Sequence, residues 1–181
     1  WYASLDAKGK FSNMEQVTNE VKLMLDPSAP APEPPASPQR FGAKDVFDLS
    51  QKQLMDAYSC TECGRCTSQC PANITGKLLS PRKIMMDTRD RLEEVGKNID
   101  ANGEFKDDGK SLLNDYITPE ELWACTTCNA CVEACPVLIN PLSIIVDMRR
   151  YLVMEESAAH TELNGMFTRL DNNGAPWQFS P

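Results

Sequence analysis

The side chains in this chain best suited to chemistry are its cysteines. They fall at positions 60, 63, 66 and 70, and again at 125, 128, 131 and 135. Both sets read C-x2-C-x2-C-x3-C-P, closed by Pro71 and Pro136, and none of the 8 cysteines is left over. In a small secreted protein such a count suggests disulfides. Two identical dense runs point instead to two thiolate-ligated metal centres. Gaps of two let three successive thiolates converge from one loop onto one face of a metal cluster. The fourth cysteine lies too far along to close the same small cage comfortably. Zinc is the rival, but structural zinc usually takes separated C-x2-C pairs rather than a continuous run.

The run resembles the bacterial ferredoxin signature for a 4Fe-4S cluster, whose fourth cysteine ligates the other cluster in two-cluster proteins. This resemblance implies two 4Fe-4S clusters with exchanged ligands. Cys60, Cys63, Cys66 and Cys135 would hold one; Cys125, Cys128, Cys131 and Cys70 would hold the other. The exchange ties the two halves of the chain together through metal, so folding should depend on cluster assembly. Thiol-rich centres need a reducing or protected compartment during assembly, which favours a cytosolic face.

The elements that position these loops read as helices. Ser50 can cap a helix running through Leu54 and Tyr58 into the first loop. Ser80-Pro81 starts a second, with Gly96 as its stop and an exposed polar excursion over 97–110. That excursion is either solvated or a docking surface for a redox partner. Thr118-Pro119-Glu120-Glu121 is a capping box leading into the second loop. Asn140-Pro141 opens a helix through Met154, and a last helix covers 158–171. No segment alternates as a strand does. A repeat runs through this pattern. Tyr58-Ser-Cys60 matches Trp123-Ala-Cys125, and Ser80-Pro81 … Asp87-Thr-Arg89 matches Asn140-Pro141 … Asp147-Met-Arg149. The fold expected is mainly α: two pseudo-symmetric halves, each a helix, a cysteine loop and a Pro-started helix. Tyr58 and Trp123 either pack near the clusters or serve as plain core aromatics.

Upstream, residues 26–40 hold six of the 13 prolines and read as an extended linker. Residues 1–25 form an N-terminal extension, with Met14, Val17, Val21, Met24 and Leu25 at helical spacing. The cluster domain then covers 41–181. Across 181 residues, 18 Lys+Arg face 26 Asp+Glu, a formal charge of −8 that disfavours nucleic acid as a partner. No run approaches the roughly 18 apolar residues of a membrane span, and no signal peptide is visible. The first residue is Trp1 rather than Met, so the chain is expected to be processed or cut from something longer. His160 is the only histidine. It has no triad-like company and reads as a surface residue. Arg65, beside Cys66, is either a potential-raising cation or an exposed loop charge.

The two cysteine runs and the Pro-started helices after each resemble the all-helical ferredoxin module. That module forms part of the iron–sulfur subunits of succinate dehydrogenase and fumarate reductase. It also occurs in the iron–sulfur proteins of heterodisulfide reductase and anaerobic glycerol-3-phosphate dehydrogenase. Tyr151-Leu-Val-Met-Glu-Glu and Asn172-Asn173-Gly174-Ala175-Pro176-Trp177 resemble the exit segment of membrane-associated heterodisulfide-reductase-like proteins. In that family a Cys-Cys-Gly catalytic domain follows, and a membrane domain related to cytochrome-b-type proteins often precedes. This chain contains no Cys-Cys-Gly motif, so no catalytic residue is carried over. The resemblance implies a fragment at the cytoplasmic face of a membrane, with Trp1-Tyr2 near the interface. It implies a one-electron relay between a membrane cytochrome, a quinone-linked domain or a catalytic domain and another acceptor. On this reading the chain is an electron-transfer module without its own catalytic site. A redox or iron sensor and a structural metal module are the alternatives.

Overall fold

A computed structural model describes residues 13–26, 28 and 40–177. Trp1-Tyr2 and most of the Pro-rich linker lie outside them. Among the described residues ten α-helical segments follow in order, with a 3-10 turn at Val46–Asp48 between the first two: α1 (Glu15–Leu25), α2 (Gln51–Ser59), α3 (Arg65–Ser68), α4 (Pro71–Ile74), α5 (Pro81–Asn102), α6 (Leu112–Asp115), α7 (Pro119–Trp123), α8 (Ala130–Glu133), α9 (Pro141–Met154) and α10 (Thr161–Asn173). Among the described residues there is no strand, only an isolated bridge between Leu113 and Ile117.

The long helices begin where their caps demand. Ser80 Oγ accepts from the Lys83 N–H at 3.3 Å, and Asn140 Oδ1 accepts from the Ser143 N–H at 3.1 Å. A proline occupies the next position in each, where its missing N–H costs nothing. The helices leading into the cysteine loops each carry a full capping box, Ser50 with Gln53 and Thr118 with Glu121.

Those two capping partners also bind the halves together. Gln53 Nε2 donates to Asp147 Oδ2 on α9 at 2.7 Å. Glu121 pairs with Lys83 Nζ on α5 at 3.0 Å. The lead helix of each half is thus keyed to the long helix of the other. Around this crossing α5 packs on α2 and α9. Ile84, Met85, Ile144, Ile145 and Met148 are buried at 1% exposure or less. Burial of such side chains contributes about 1.5–3 kcal/mol each.

Three expectations are corrected. Gly96 does not stop α5, which continues to Asn102 and ends at Gly103, in the left-handed region at φ 80°. A mid-helix glycine costs only about 1 kcal/mol. Beyond it, Asn98 exchanges hydrogen bonds with Lys106 N–H and C=O at 2.9 Å, which holds the last turns in place. The last helix starts at Thr161, because His160 is extended at its N-cap, and runs to Asn173. The polar excursion is not simply solvated. Asp108 reaches inward to Arg91, whose side chain is fully buried, and Phe105 meets Phe47 edge-on at 4.8 Å. The amphipathic α1 forms as expected, with Met24 and Leu25 exposed.

Candidate metal centres

Each cysteine loop starts where its lead helix stops. Cys60 caps α2, and Cys125 follows the cap of α7. The backbone then enters the left-handed region twice in each loop. Glu62 (φ 57°) and Gly64 (φ 79°) do so in the first, Thr127 (φ 55°) and Asn129 (φ 62°) in the second. Gly64 and Asn129 then start the one-turn helices that carry Cys66 and Cys131. Glycine and asparagine tolerate this conformation, but Glu62 and Thr127 are strained by about 1–3 kcal/mol each. Such strain persists only where the surroundings dictate the backbone, and the same strain recurs at the same place in both runs.

The loops bring the thiols into two sets. Cys60, Cys63, Cys66 and Cys135 line one small cavity of about 20 Å³, together with Arg82, Met85, Val137 and Ile139. Cys135 reaches this cavity from the second run. In the other set Cys70 and Cys128 are near enough to act electrostatically on Cys125, and Cys125, Cys70 and Cys66 likewise act on Cys131. Short helices α3 and α8 pack together, and Cys66, Cys125 and Cys131 share a small apolar cluster with Val132 and Leu142. Among the described residues, no three Cys, His, Asp or Glu groups converge on a point where a single ion would sit. Cys63 and Cys128 are exposed, while Cys70 and Cys131 are buried.

The donor set suits a thiolate-ligated cluster. The walls of the first site are largely apolar, and backbone N–H groups donate to sulfur in both sets. The Ile139 N–H donates to Cys135 Sγ at 3.3 Å, and the Thr127 N–H to Cys125 Sγ at 3.4 Å. Burial pushes the Cys66 and Cys125 thiols up from their ordinary range, and the Cys131 thiol to about 12. Neighbouring sulfurs add to the effect. The metal-free sites therefore hold protons that metal binding must displace, which makes assembly pH-dependent.

The remaining candidates divide. Arg65 is exposed, as one of its two readings had it. Tyr58 is 54% exposed, because Ala57 takes the buried position on that turn. Trp123 packs against the core. His160 is exposed and meets the Trp123 ring at 5.3 Å. The sequence reading missed Arg149 as a site residue. Its guanidinium donates to the carbonyls of Leu122 and Cys125 and lies 5.0 Å from the Trp123 ring centroid. The signal available was the repeated Asp-x-Arg of the long helices.

Two family models, both described as a 4Fe-4S dicluster domain, match residues 59–139 and 27–75. The probable iron-sulfur-binding oxidoreductase FadF of Bacillus subtilis is 35% identical over 168 residues, covering 77% of this chain and 24% of that protein. The EtfAB:quinone oxidoreductase of Syntrophomonas wolfei is 35% identical over 158 residues, 77% of this chain and 22% of that protein. A subunit of the ferredoxin/F420H2-dependent CoB-CoM heterodisulfide reductase of Methanosarcina acetivorans is 32% identical over 113 residues, covering 62% of this chain and 56% of that protein. The chain thus spans about a quarter of the length of the first two relatives.

Proposed function

The chain belongs to the 4Fe-4S dicluster proteins of the all-helical ferredoxin type, and from that premise we propose that it is a one-electron relay between two redox partners. Cys60, Cys63, Cys66 and Cys135 hold one 4Fe-4S cluster; Cys70, Cys125, Cys128 and Cys131 hold the other. When bound by four thiolates, such a cluster supplies one-electron transfer and offers no open position to a substrate.

The chain's own residues do the rest. The N–H donors to sulfur and the apolar walls hold the thiolates and exclude water. Cys66 beside Cys131 brings the two sets together, and exposed Cys63 and Cys128 put each set within reach of a partner. The observation that carries the reading is the convergence of Cys135 with the three leading cysteines of the other run.

The names of the relatives suggest the ends of the path. One is an EtfAB:quinone oxidoreductase and another is part of a heterodisulfide reductase. For this chain, a membrane cytochrome, a quinone-linked domain or a Cys-Cys-Gly catalytic domain supplies or receives the electrons at the cytoplasmic face of a membrane. No helix of the described residues is long and apolar enough to cross a membrane. Residues 41–181 form the cluster domain, following a linker and an N-terminal helix. Chemistry on substrate belongs to the partners.

The test is anaerobic re-oxidation of dithionite-reduced protein by a soluble quinone, with iron counted before and after. A relay delivers about two electrons per chain, one per cluster, and keeps its iron. Loss of iron on re-oxidation favours a sensor. Failure to deliver electrons favours a structural metal module.

A further inference from the structure

The two halves place an arginine at the same point of the repeat but surround it differently. Arg89 lies on α5, and its Nη2 sits 2.5 Å from Glu62 Oε1 on the first cysteine loop, with Asp90 at 3.7 Å. Its charge is cancelled where it stands. Arg149 lies on α9, under Trp123, and points its donors at the carbonyl oxygens of Leu122 (2.9 and 2.6 Å) and Cys125 (2.5 Å). Among the described residues no carboxylate forms an ion pair with Arg149.

The reason for the difference can be read from the loops. Glu62 and Thr127 each follow the leading cysteine of their run by two positions and share a left-handed backbone, φ 57° and 55°. The first loop therefore offers a carboxylate where the second offers only a hydroxyl.

That uncompensated charge sits where it is needed. Reduction adds negative charge, and burial opposes charge. The second set is the more enclosed, with Cys70 and Cys131 buried; none of the first set is. Backbone N–H groups donate to sulfur in both sets, Ile139 to Cys135 and Thr127 to Cys125, and Thr67 also hydrogen-bonds Cys66 in the first set and the Val132 N–H hydrogen-bonds Cys131 in the second. Arg82 lines the first cavity, but it is exposed and water screens it. Resting on the relay reading above, we propose that Arg149 is the counter-charge of the Cys70, Cys125, Cys128 and Cys131 site, and that it raises the reduction potential of the cluster held there. It acts on the electron through the field it sets, as a positioning residue. The identity of residue 127 decides whether that field survives.

Thr127→Glu is the decisive variant. It gives the second loop the carboxylate that the first already carries on the same backbone, and it leaves Arg149 in place. The readout is a mediator-poised dithionite titration of the anaerobic protein, followed by electron paramagnetic resonance, with iron and sulfide counted in every variant. In Thr127→Glu and in Arg149→Met, one cluster's reduction equilibrium should shift about tenfold or more toward the oxidised form, about 59 mV for one electron, while the other stays put. Arg149→Lys keeps the charge and should restore most of that shift. Arg89→Met leaves Glu62 unpaired and should move the other midpoint downward, which identifies the two signals. If both clusters are present and Thr127→Glu moves neither midpoint, or moves both equally, the proposal is overturned. If Arg149→Lys shifts the midpoint as far as Arg149→Met, the carbonyl bonds rather than the charge are responsible, and the proposal is also overturned. A wild-type chain that holds no iron–sulfur cluster would instead refute the relay reading beneath it.

Discussion

Arg91→Met should be among the most damaging single changes away from the cysteines. The Arg91 side chain is 0% exposed, and it holds two carboxylates at once. Nε and Nη2 reach Asp45 at 3.1 and 2.8 Å, Nη1 and Nη2 reach Asp108 at 2.5 and 3.1 Å, and Nη2 also donates to the Lys110 carbonyl at 2.8 Å. These bonds join α5, the turn before α2 and the loop after α5. Methionine fills similar space but strands both acids. Breaking a buried pair usually costs about 3–5 kcal/mol. Here the lower end applies, because the Asp45 and Asp108 side chains keep 13% and 23% of their exposure. Asp45 also retains the N–H groups of Val46 (2.8 Å) and Leu112 (3.1 Å). The expected loss is about 3 kcal/mol, roughly a hundredfold in the unfolding equilibrium. Asp108→Asn leaves the Asp45 pair intact and should cost only about 1 kcal/mol. The assay is anaerobic urea unfolding of the cluster-loaded protein, followed by circular dichroism and cluster absorbance together. If Arg91→Met costs less than about 1 kcal/mol, or no more than Asp108→Asn, the buried ion triad does not hold these three segments together.

The same triad sets an acid dependence. The hydrogen bond from Arg91 holds the Asp108 carboxyl below its ordinary 3.8, so its stabilisation is present above that pH and is lost as pH falls through the lowered value. The stability gap between wild type and Arg91→Met should therefore narrow on acidification, and a constant gap in urea titrations at several pH values would contradict this. Gly42→Ala would place a Cβ 2.2 Å from the Asp147 carbonyl oxygen and 2.4 Å from the Tyr151 nitrogen, both on the backbone of α9. A destabilisation of about 3 kcal/mol should appear as a lower melting temperature. For the cluster ligands, Cys63→Ser and Cys135→Ser should each remove the same paramagnetic signal, although they lie in different runs, and Cys70→Ser should remove the other. Loss of the same signal in Cys70→Ser and Cys63→Ser would refute the exchange of fourth ligands.

The helix starts were legible because capping is local chemistry. Ser50, Ser80, Thr118 and Asn140 announce themselves by residue type and by the proline or Glu/Gln that follows. The metal centres were legible because the spacing of the cysteines is itself the constraint. The left-handed turns before Cys66 and Cys131 had a signal too, in Gly64 and Asn129. What escaped depends on contacts far apart in sequence. Gly96 read as a stop because nothing near it reveals that Asn98 will hold Lys106. Arg91 follows Ile84 and Thr88 on the buried face of α5, yet its partners lie 46 and 17 positions away. Arg149 was visible as a repeat match, but that no carboxylate among the described residues pairs with it depends on which side chains the fold brings near, Thr127 among them.

A relay requires that this chain carry two 4Fe-4S clusters close enough to form one path. It is tested most directly by iron and acid-labile sulfide analysis of anaerobically purified protein, with electron paramagnetic resonance before and after dithionite. About eight iron and eight sulfide per chain are expected, with reduced-state signals split by interaction between the clusters. Zinc in place of iron, in protein made with cluster assembly intact, would contradict it.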